Sequence, residues 1–406
     1  MNIQYYFVMA SGTFKSLFYT MVLMAIVIFS ASCSGSSESV GNVKAIHIGE
    51  ALDGGYEFAK MSDYFSDIDY IPLQTDTSCM VGNVFRARVV GDDIITVDSQ
   101  SHRCMLFGLD GTFKGAIGNQ GNANGEYTIM GNFSVDPFSN DVGIFDFRKV
   151  VIYDKEGNFK RNVVCGDLAS GRGLFVTSVE LFGNYYVMNG ANVYTGASSS
   201  LFIDENSNIV HVDSLVTDNE TDPSKKQLVP PDSRNHVDAY TFGNELYIVN
   251  RGVDTISSYD ASLKKSPRYI LDYGRYVGDK RVVIHGGQVY ESDNLFLFGV
   301  VLFNNTFSFM SQTNLKLCYL AYDKVSGKIR VLPFDTSLNR FAFENDMDGS
   351  GLSFLPKAVD GNKMYQLVDS YYFIECAERS TSDKMKAVAA TLTEESNPVL
   401  VIATLK

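Results

Sequence analysis

The sequence has no tryptophan, and only nine of its 406 residues are proline. Without tryptophan the best stacking platform for a sugar is missing, although 28 phenylalanines and 23 tyrosines remain to take that part. Basic residues are in deficit. Thirty-four Lys and Arg against 47 Asp and Glu give a net charge of -13, which argues against a nucleic-acid partner, whose phosphates call for a Lys/Arg stripe. Cysteines are few and scattered. No two of Cys79, Cys104, Cys165, Cys318 and Cys376 lie within twenty residues of each other, which excludes zinc ribbons and thioredoxin-like pairs and leaves separate buried thiols. The five histidines (His47, His102, His211, His236, His285) form no His-x-His or His-Glu-x-x-His pair, and no Gly-x-Ser-x-Gly elbow occurs. With 45% hydrophobic and 20% charged residues, the chain is too apolar to be disordered in bulk.

The N-terminal residues read as an address. Lys15 is the only charge before a 13-residue apolar run, Leu17 to Phe29, which Thr20 alone interrupts. A spanning helix needs ~20 residues, so the run fits a signal-peptide core. It ends in Ser30-Ala31-Ser32-Cys33, and a Ser-rich stretch follows. Small residues directly before a cysteine resemble the lipobox of bacterial lipoproteins, in which the cysteine is lipidated; Ser30 stands where that motif usually has Leu. The expectation is a signal peptide over residues 1–32, lipidation at Cys33, a tether and N-terminal segment over 33–60, and a folded body over 61–406. Residues 1–32 hold one lysine and no acid, so the mature chain has 33 basic and 47 acidic residues, a charge of -14.

From residue 68 onward short alternating segments are separated by turn residues. Gly91-Asp92-Asp93-Ile94-Ile95-Thr96-Val97-Asp98 followed by Leu106-Phe107-Gly108-Leu109-Asp110-Gly111-Thr112-Phe113-Lys114 is repeated by Asn140 to Asp146 followed by Ile152 to Lys160. Each unit reads as a strand ending in Asp, a polar turn, a strand ending in an aromatic, and a Gly turn of hairpin type. Weaker copies start at Tyr185, Asn244 and Leu295, and Asn362 to Val368 supplies the middle strand of a sixth. Units of 45 to 60 residues with four strands each are the signature of propeller blades. The polar stretch Thr217 to Asn235 is the longest candidate loop. Ser370 to about Leu392 reads as one helix, ending before Ser396-Asn397-Pro398, and Val399 to Lys406 as a final strand. Pairing that strand with Ile68 to Leu73 would close the ring and remove two edges. The expected fold is an all-β, six-bladed propeller with one C-terminal helix inserted before the closing strand.

Several segments carry a resemblance: Phe65 to Leu73, Gly121-Asn122-Ala123-Asn124-Gly125-Glu126-Tyr127, Asn345 to Gly349, Phe354-Leu355-Pro356-Lys357, and Asn397-Pro398-Val399-Leu400. In this order they resemble the six-bladed β-propeller lipoproteins of Bacteroides-type bacteria, themselves similar to NHL-repeat propellers. Asn124 stands where that family usually has Pro, and Leu355 where it has Trp. The resemblance implies the fold and an outer-membrane lipoprotein, facing the periplasm or the cell surface. It implies no agreed activity.

Gly118, Gly121 and Gly125 have strands on both sides and no following helix, so they read as a blade-to-blade turn with Glu126 accepting backbone N–H bonds, and not as a phosphate loop. Asp346-Met347-Asp348-Gly349-Ser350-Gly351 spaces oxygen ligands like a calcium loop. Lys357 takes the place of the bidentate Glu, however, and no helix pattern flanks the loop. An Asx-type turn is the preferred reading, with Asp346 and Asp348 the metal candidates and calcium the only cofactor considered. Propellers bind ligands around the central channel, which the innermost strands line. On the blade assignment these strands carry Arg86, Arg88, Asn132, His236, Asp238 and Lys357. They form either a polar ring or the wall of a wet, empty tunnel. Arg86, Arg88 and Lys357 are the ligand-binding candidates. A cationic cluster on an acidic protein would favour an anionic ligand, unless the arginines pair with acids such as Asp238 and only tie blades together. Two functional classes follow. One is a lipid-anchored module binding a glycan, peptide or envelope protein. The other is an envelope lyase or hydrolase acting at the channel mouth, for which no catalytic residues stand out.

Overall fold

A computed structural model describes residues 43–53, 57–82, 84–98, 100–194, 197–214, 237–250, 253–276, 282–303 and 315–406. Residues 1–33, the stretch 217–235 and His236 lie outside the described residues, as does the side chain of His285. Uninterrupted apolar runs are the key to the architecture. In Leu295-Phe296-Leu297-Phe298 every side chain is fully buried. Leu295 and Leu297 enter one apolar cluster while Phe296 and Phe298 enter the next. A strand buried on both faces must be sandwiched between two neighbouring sheets.

That sandwiching repeats around a ring of six sheets, making a six-bladed β-propeller. Blade 1 runs outward from Val84–Val90 to Phe113–Ala116, blade 2 from Asn132–Val135 to Phe159–Val164, and blade 3 from Leu174–Phe182 to Ile209–Ser214. Blade 4 runs from Val237–Phe242 to Lys265–Asp272, and blade 5 from Val282–Glu291 to Ile329–Val331. Blade 6 runs from Ala358–Asp360 through Lys363–Val368 and Val399–Leu405 to Phe65–Pro72. One apolar cluster fills each junction. Ile95 and Val97 meet Phe133 and Ile144 between blades 1 and 2, for example, and Phe107 meets Tyr365 and Ile402 between blades 6 and 1. Gly143 lets blades 2 and 3 close together, since a Cβ there would stand 2.4 Å from the Leu181 side chain.

The ring closes as the sequence suggests. Val399–Leu405 pairs with Phe65–Pro72 on one side, Tyr70 opposite Val401, and with Lys363–Val368 on the other, Tyr365 opposite Ile402. The segment before residue 61 also belongs to the body, whose compact unit begins at Ala45. Lys44–His47 adds a fifth strand to the outer edge of blade 4. Phe58 then bridges Val331 of blade 5 in parallel, and Lys60 bridges Glu344. The N-terminal chain thus covers the outer edges of blades 4 and 5, which would otherwise offer unpaired backbone groups, and then supplies the outermost strand of blade 6.

The single C-terminal helix expected over residues 370–392 is two, Ser370–Arg379 and Asp383–Ala389. The break comes from a tertiary contact. Ser380 Oγ and Thr381 N both donate to the Asp348 carbonyl, at 3.0 and 2.7 Å, and Ser382 Oγ then accepts Met385 N to cap the second helix. Phe373, Cys376 and Met385 bury these helices against blade 6. Among the described residues no helix is long and apolar enough to cross a membrane.

Candidate functional site

The innermost strands of all six blades end on one open cavity of about 430 Å³. Its wall is made where each strand turns into the second strand of its blade: Arg88 to Gly91, Val135 to Pro137, Glu180, Tyr240 to Gly243, Val289 to Glu291, and Ala358 to Gly361. Alternation along Val84–Val90 determines what blade 1 contributes. Ala87 is fully buried in the junction with blade 6. Arg86 and Arg88 therefore project to the other side, towards blade 2. Arg86 Nη1 donates to Asn132 Oδ1 at 2.8 Å, and the Arg88 guanidinium lies 5.9 Å from the centre of the Phe133 ring.

Blade 3 supplies a carboxylate to the same wall. Glu180 is 6% exposed and accepts a 2.7 Å hydrogen bond from Ser134 Oγ of blade 2. Burial pushes its pKa up, and the nearby Arg88 opposes that shift. Burial likewise pulls the Arg86 pKa down, assisted by the like charge of Arg88 and resisted by Glu180 and Asp238. Tyr290 of blade 5 is pushed up to about 12 by burial, against the pull of Arg88 and Arg86. A polar belt thus runs through Arg86, Arg88, Asn132, Ser134, Glu180, Asp238 and Tyr290, from blade 1 round to blade 5. Within it, Asn132 Nδ2 is buried without an acceptor among the described residues.

The structure brings together Arg86 and Arg88, with Asn132 and Asp238 beside them, but not Lys357. That lysine directly precedes the innermost strand of blade 6, and its charged neighbour is Arg340. The three candidate cations therefore do not make one cluster, and the cavity wall carries more acid than base: Asp136, Glu180, Glu291, Asp293 and Asp360 beside Arg88. Two of those acids are spoken for. Asp136 accepts Gly183 N and Ser139 Oγ, and Glu291 accepts Tyr240 Oη, Tyr269 Oη and Lys324 Nζ. Glu180 and Tyr290 were missed by the sequence reading. A carboxylate inside the apolar run Val179-Glu180-Leu181-Phe182 is the signal that would have found the first.

The loop bearing Asp346 and Asp348 is tied to the protein itself. Asp346 accepts Ser62 N at 2.9 Å and Ser62 Oγ at 2.6 Å. Asp348 accepts Asn345 Nδ2, Ser350 N and the Tyr70 hydroxyl. Among the described residues no group of three or more His, Cys, Asp or Glu is placed to hold a metal ion. Glu126 accepts Ala123 N at 2.8 Å in the glycine turn between blades 1 and 2. His47 pairs with Asp272, and His211 lies against the rings of Phe202 and Tyr259.

No curated protein matches this sequence. Among solved structures, a Bacteroides fragilis protein designated as exported is similar at a TM-score of 0.61 and 15% identity, covering 90% of this chain and 99% of that one. A member of the DUF4221 family from Bacteroides vulgatus is similar at 0.40 and 10% identity, over 84% of this chain and 97% of that one. A catalytically inactive point variant of virginiamycin B lyase from Staphylococcus aureus is similar at 0.39 and 9% identity, over 84% of this chain and 100% of that one. The first of these likenesses agrees with the propeller fold traced above. A family model covers nearly the whole body, residues 43–404, and the chain belongs to that family, the domain of unknown function DUF4934.

Proposed function

We propose that this protein is a recognition module of the cell envelope, anchored through lipid on Cys33, that binds a glycan at the channel mouth. The observation that carries the reading is the mixed lining of the cavity on which the six blades converge. Arg88 offers donors, Glu180, Asp293 and Asp360 offer acceptors, and Tyr290 offers an aromatic ring with a hydroxyl. Neighbouring sugar hydroxyls both donate and accept, so they suit a wall of both characters better than a purely cationic one. At about 430 Å³ the cavity is of small-ligand size. The apolar run Leu17 to Phe29 and the Ser-Ala-Ser-Cys33 junction support the address. The designation of the similar B. fragilis protein as exported agrees with it.

Glu180 supports a second reading, a lyase or hydrolase at the same mouth, because a carboxyl whose pKa is raised by burial is suited to general-acid work. Calorimetry of the mature protein against neutral and acidic glycans, with R88Q and E180Q variants, tests both. Saturable binding that falls at least about tenfold in either variant, with each variant still folded and melting cooperatively, supports the module. Binding indifferent to both variants overturns the site, and turnover of a glycan promotes the enzyme. Cys33→Ala should release the protein from membranes, since the acyl chains supply the anchoring; retention of the variant overturns the anchor.

A further inference from the structure

We propose that Arg340 and Lys357 form a second site, separate from the channel mouth, that binds the oxyanion of a carboxylate or phosphate group. Arg340 lies in the two-stranded hairpin of Phe334–Asp335 and Arg340–Phe341, within the connection from blade 5 to blade 6. Lys357 ends that connection, immediately before Ala358–Asp360. An antiparallel bridge between Phe343 and Phe354 folds the connection back on itself. Arg340 and Lys357 each stand three residues beyond that bridge, so the fold carries them to the same place from opposite directions.

Both side chains are half-buried, and neither makes a hydrogen bond or ion pair from its charged end among the described residues. Arg340 Nε is fully buried and has no acceptor among the described residues. The acids that face the pair do not fill this gap. Asp335 Oδ1 accepts Ser337 N and Leu338 N, and its Oδ2 accepts Ser353 Oγ at 2.5 Å. Asp369 is exposed and attracts Arg340 without hydrogen-bonding to it. Burial lowers the pKa of both cations, and the charge of Arg340 lowers that of Lys357 further. Two half-buried cations whose charges repel, one with an orphan donor, are an unfavourable arrangement when empty. A single oxyanion relieves both problems: it takes the Nε hydrogen bond and screens the repulsion.

The probes are inorganic phosphate and acetate, titrated into the mature protein at low ionic strength and followed by calorimetry, with chloride at matched ionic strength as control. Saturable binding of one of them is expected, weakened at least about tenfold by R340Q and by K357Q separately, retained by K357R, and unaffected by R88Q. The two anions separate a phosphate site from a carboxylate site, and either result supports an oxyanion site. No saturable binding of either overturns the proposal, as does binding that survives both R340Q and K357Q or is lost in R88Q. Should the glutamine variants fail to fold, the wild-type melting temperature decides the matter. It should rise with phosphate or acetate and not with chloride, and no rise overturns the site. Loss of glycan binding at the channel mouth would leave these outcomes unchanged, because they are read with a different ligand and different variants.

Discussion

Ser134 holds blades 2 and 3 together through one oxygen. Its hydroxyl donates to Glu180 Oε2 at 2.7 Å and accepts the Leu181 N–H at 3.0 Å. Both partners are buried, so Ser134→Ala strands a backbone donor and a carboxyl at once. An unsatisfied buried group costs about 1–3 kcal/mol. The variant should unfold at lower denaturant concentration with an unchanged slope. An unshifted midpoint would mean that water or another side chain already satisfies both groups.

Glu180 should leave a signature in the pH dependence of stability. Its folded pKa is raised by burial, so the folded state binds its proton more tightly than the unfolded state does. Its contribution is therefore fully present below the unfolded carboxyl pKa of ~4.3 and is lost as pH rises through the raised folded value. Denaturant melts of wild type and E180Q from acid to neutral pH should show the wild type losing ground steadily relative to the variant. A constant difference across that range would place the Glu180 carboxylate in contact with bulk water.

Between blades 4 and 5 the buried charge is paired instead. Lys324 Nζ donates to Glu291 at 2.8 Å, and their side chains are 9% and 0% exposed. Removing one partner leaves the other charged and buried, at a cost of about 3–5 kcal/mol. Lys324→Met should therefore be strongly destabilising, while the double variant K324M/E291Q recovers most of the loss. A double variant no better than the single one would show that the lysine acts through packing on the Phe242 ring, 4.3 Å away, and not through charge.

The parts of the fold that were legible in the sequence are those whose pattern is local. Leu295 to Phe298 and Val142 to Asp146 announce buried strands because both faces meet neighbouring blades, and the two clearest repeats fall on the second, third and fourth strands of blades 1 and 2. The strap Lys44–His47 was not legible. Four residues carry no period, and their partner Lys265–Asp272 lies far along the chain. Nor was the helix break at Ser380, which is made by the Asp348 carbonyl while the local sequence remains helix-compatible. In the site, Arg86 and Arg88 stood out as charges in an apolar strand. The Arg340–Lys357 pairing did not, because it depends on how the Phe343–Phe354 bridge folds a long connection.

The Asp346 and Asp348 loop should be indifferent to calcium. Ser62, Asn345, Ser350 and Tyr70 already occupy the carboxylate oxygens that a hard cation would need, and freeing them would detach Phe65–Pro72 from the loop. A chelator is expected to leave the melting temperature where it is. A fall that added calcium reverses would show a bound ion stabilising the native state by mass action, and would move both residues into a metal site.

Ring closure should be the most sensitive point of the whole body. Val399–Leu405 has paired neighbours on both sides, and five of its seven residues, Val399 to Ala403, are buried without interruption. Deleting Val399 to Lys406 removes the third strand of blade 6, which leaves Phe65–Pro72 with nothing to pair with. It also exposes Lys363–Val368 as a bare edge inviting aggregation. A gentler probe separates edge from core. Val401 is 2% exposed and lies between Tyr70 and Gln366, so Val401→Asp places an unpaired carboxylate between two strands while leaving the chain complete. Both variants should lose cooperative melting or melt far below wild type, with the truncation forming soluble aggregates by size-exclusion chromatography. A truncated chain that stays monomeric and melts within a couple of degrees of wild type would mean that blade 6 is held by its helices and the N-terminal strap, and not by its closing strand.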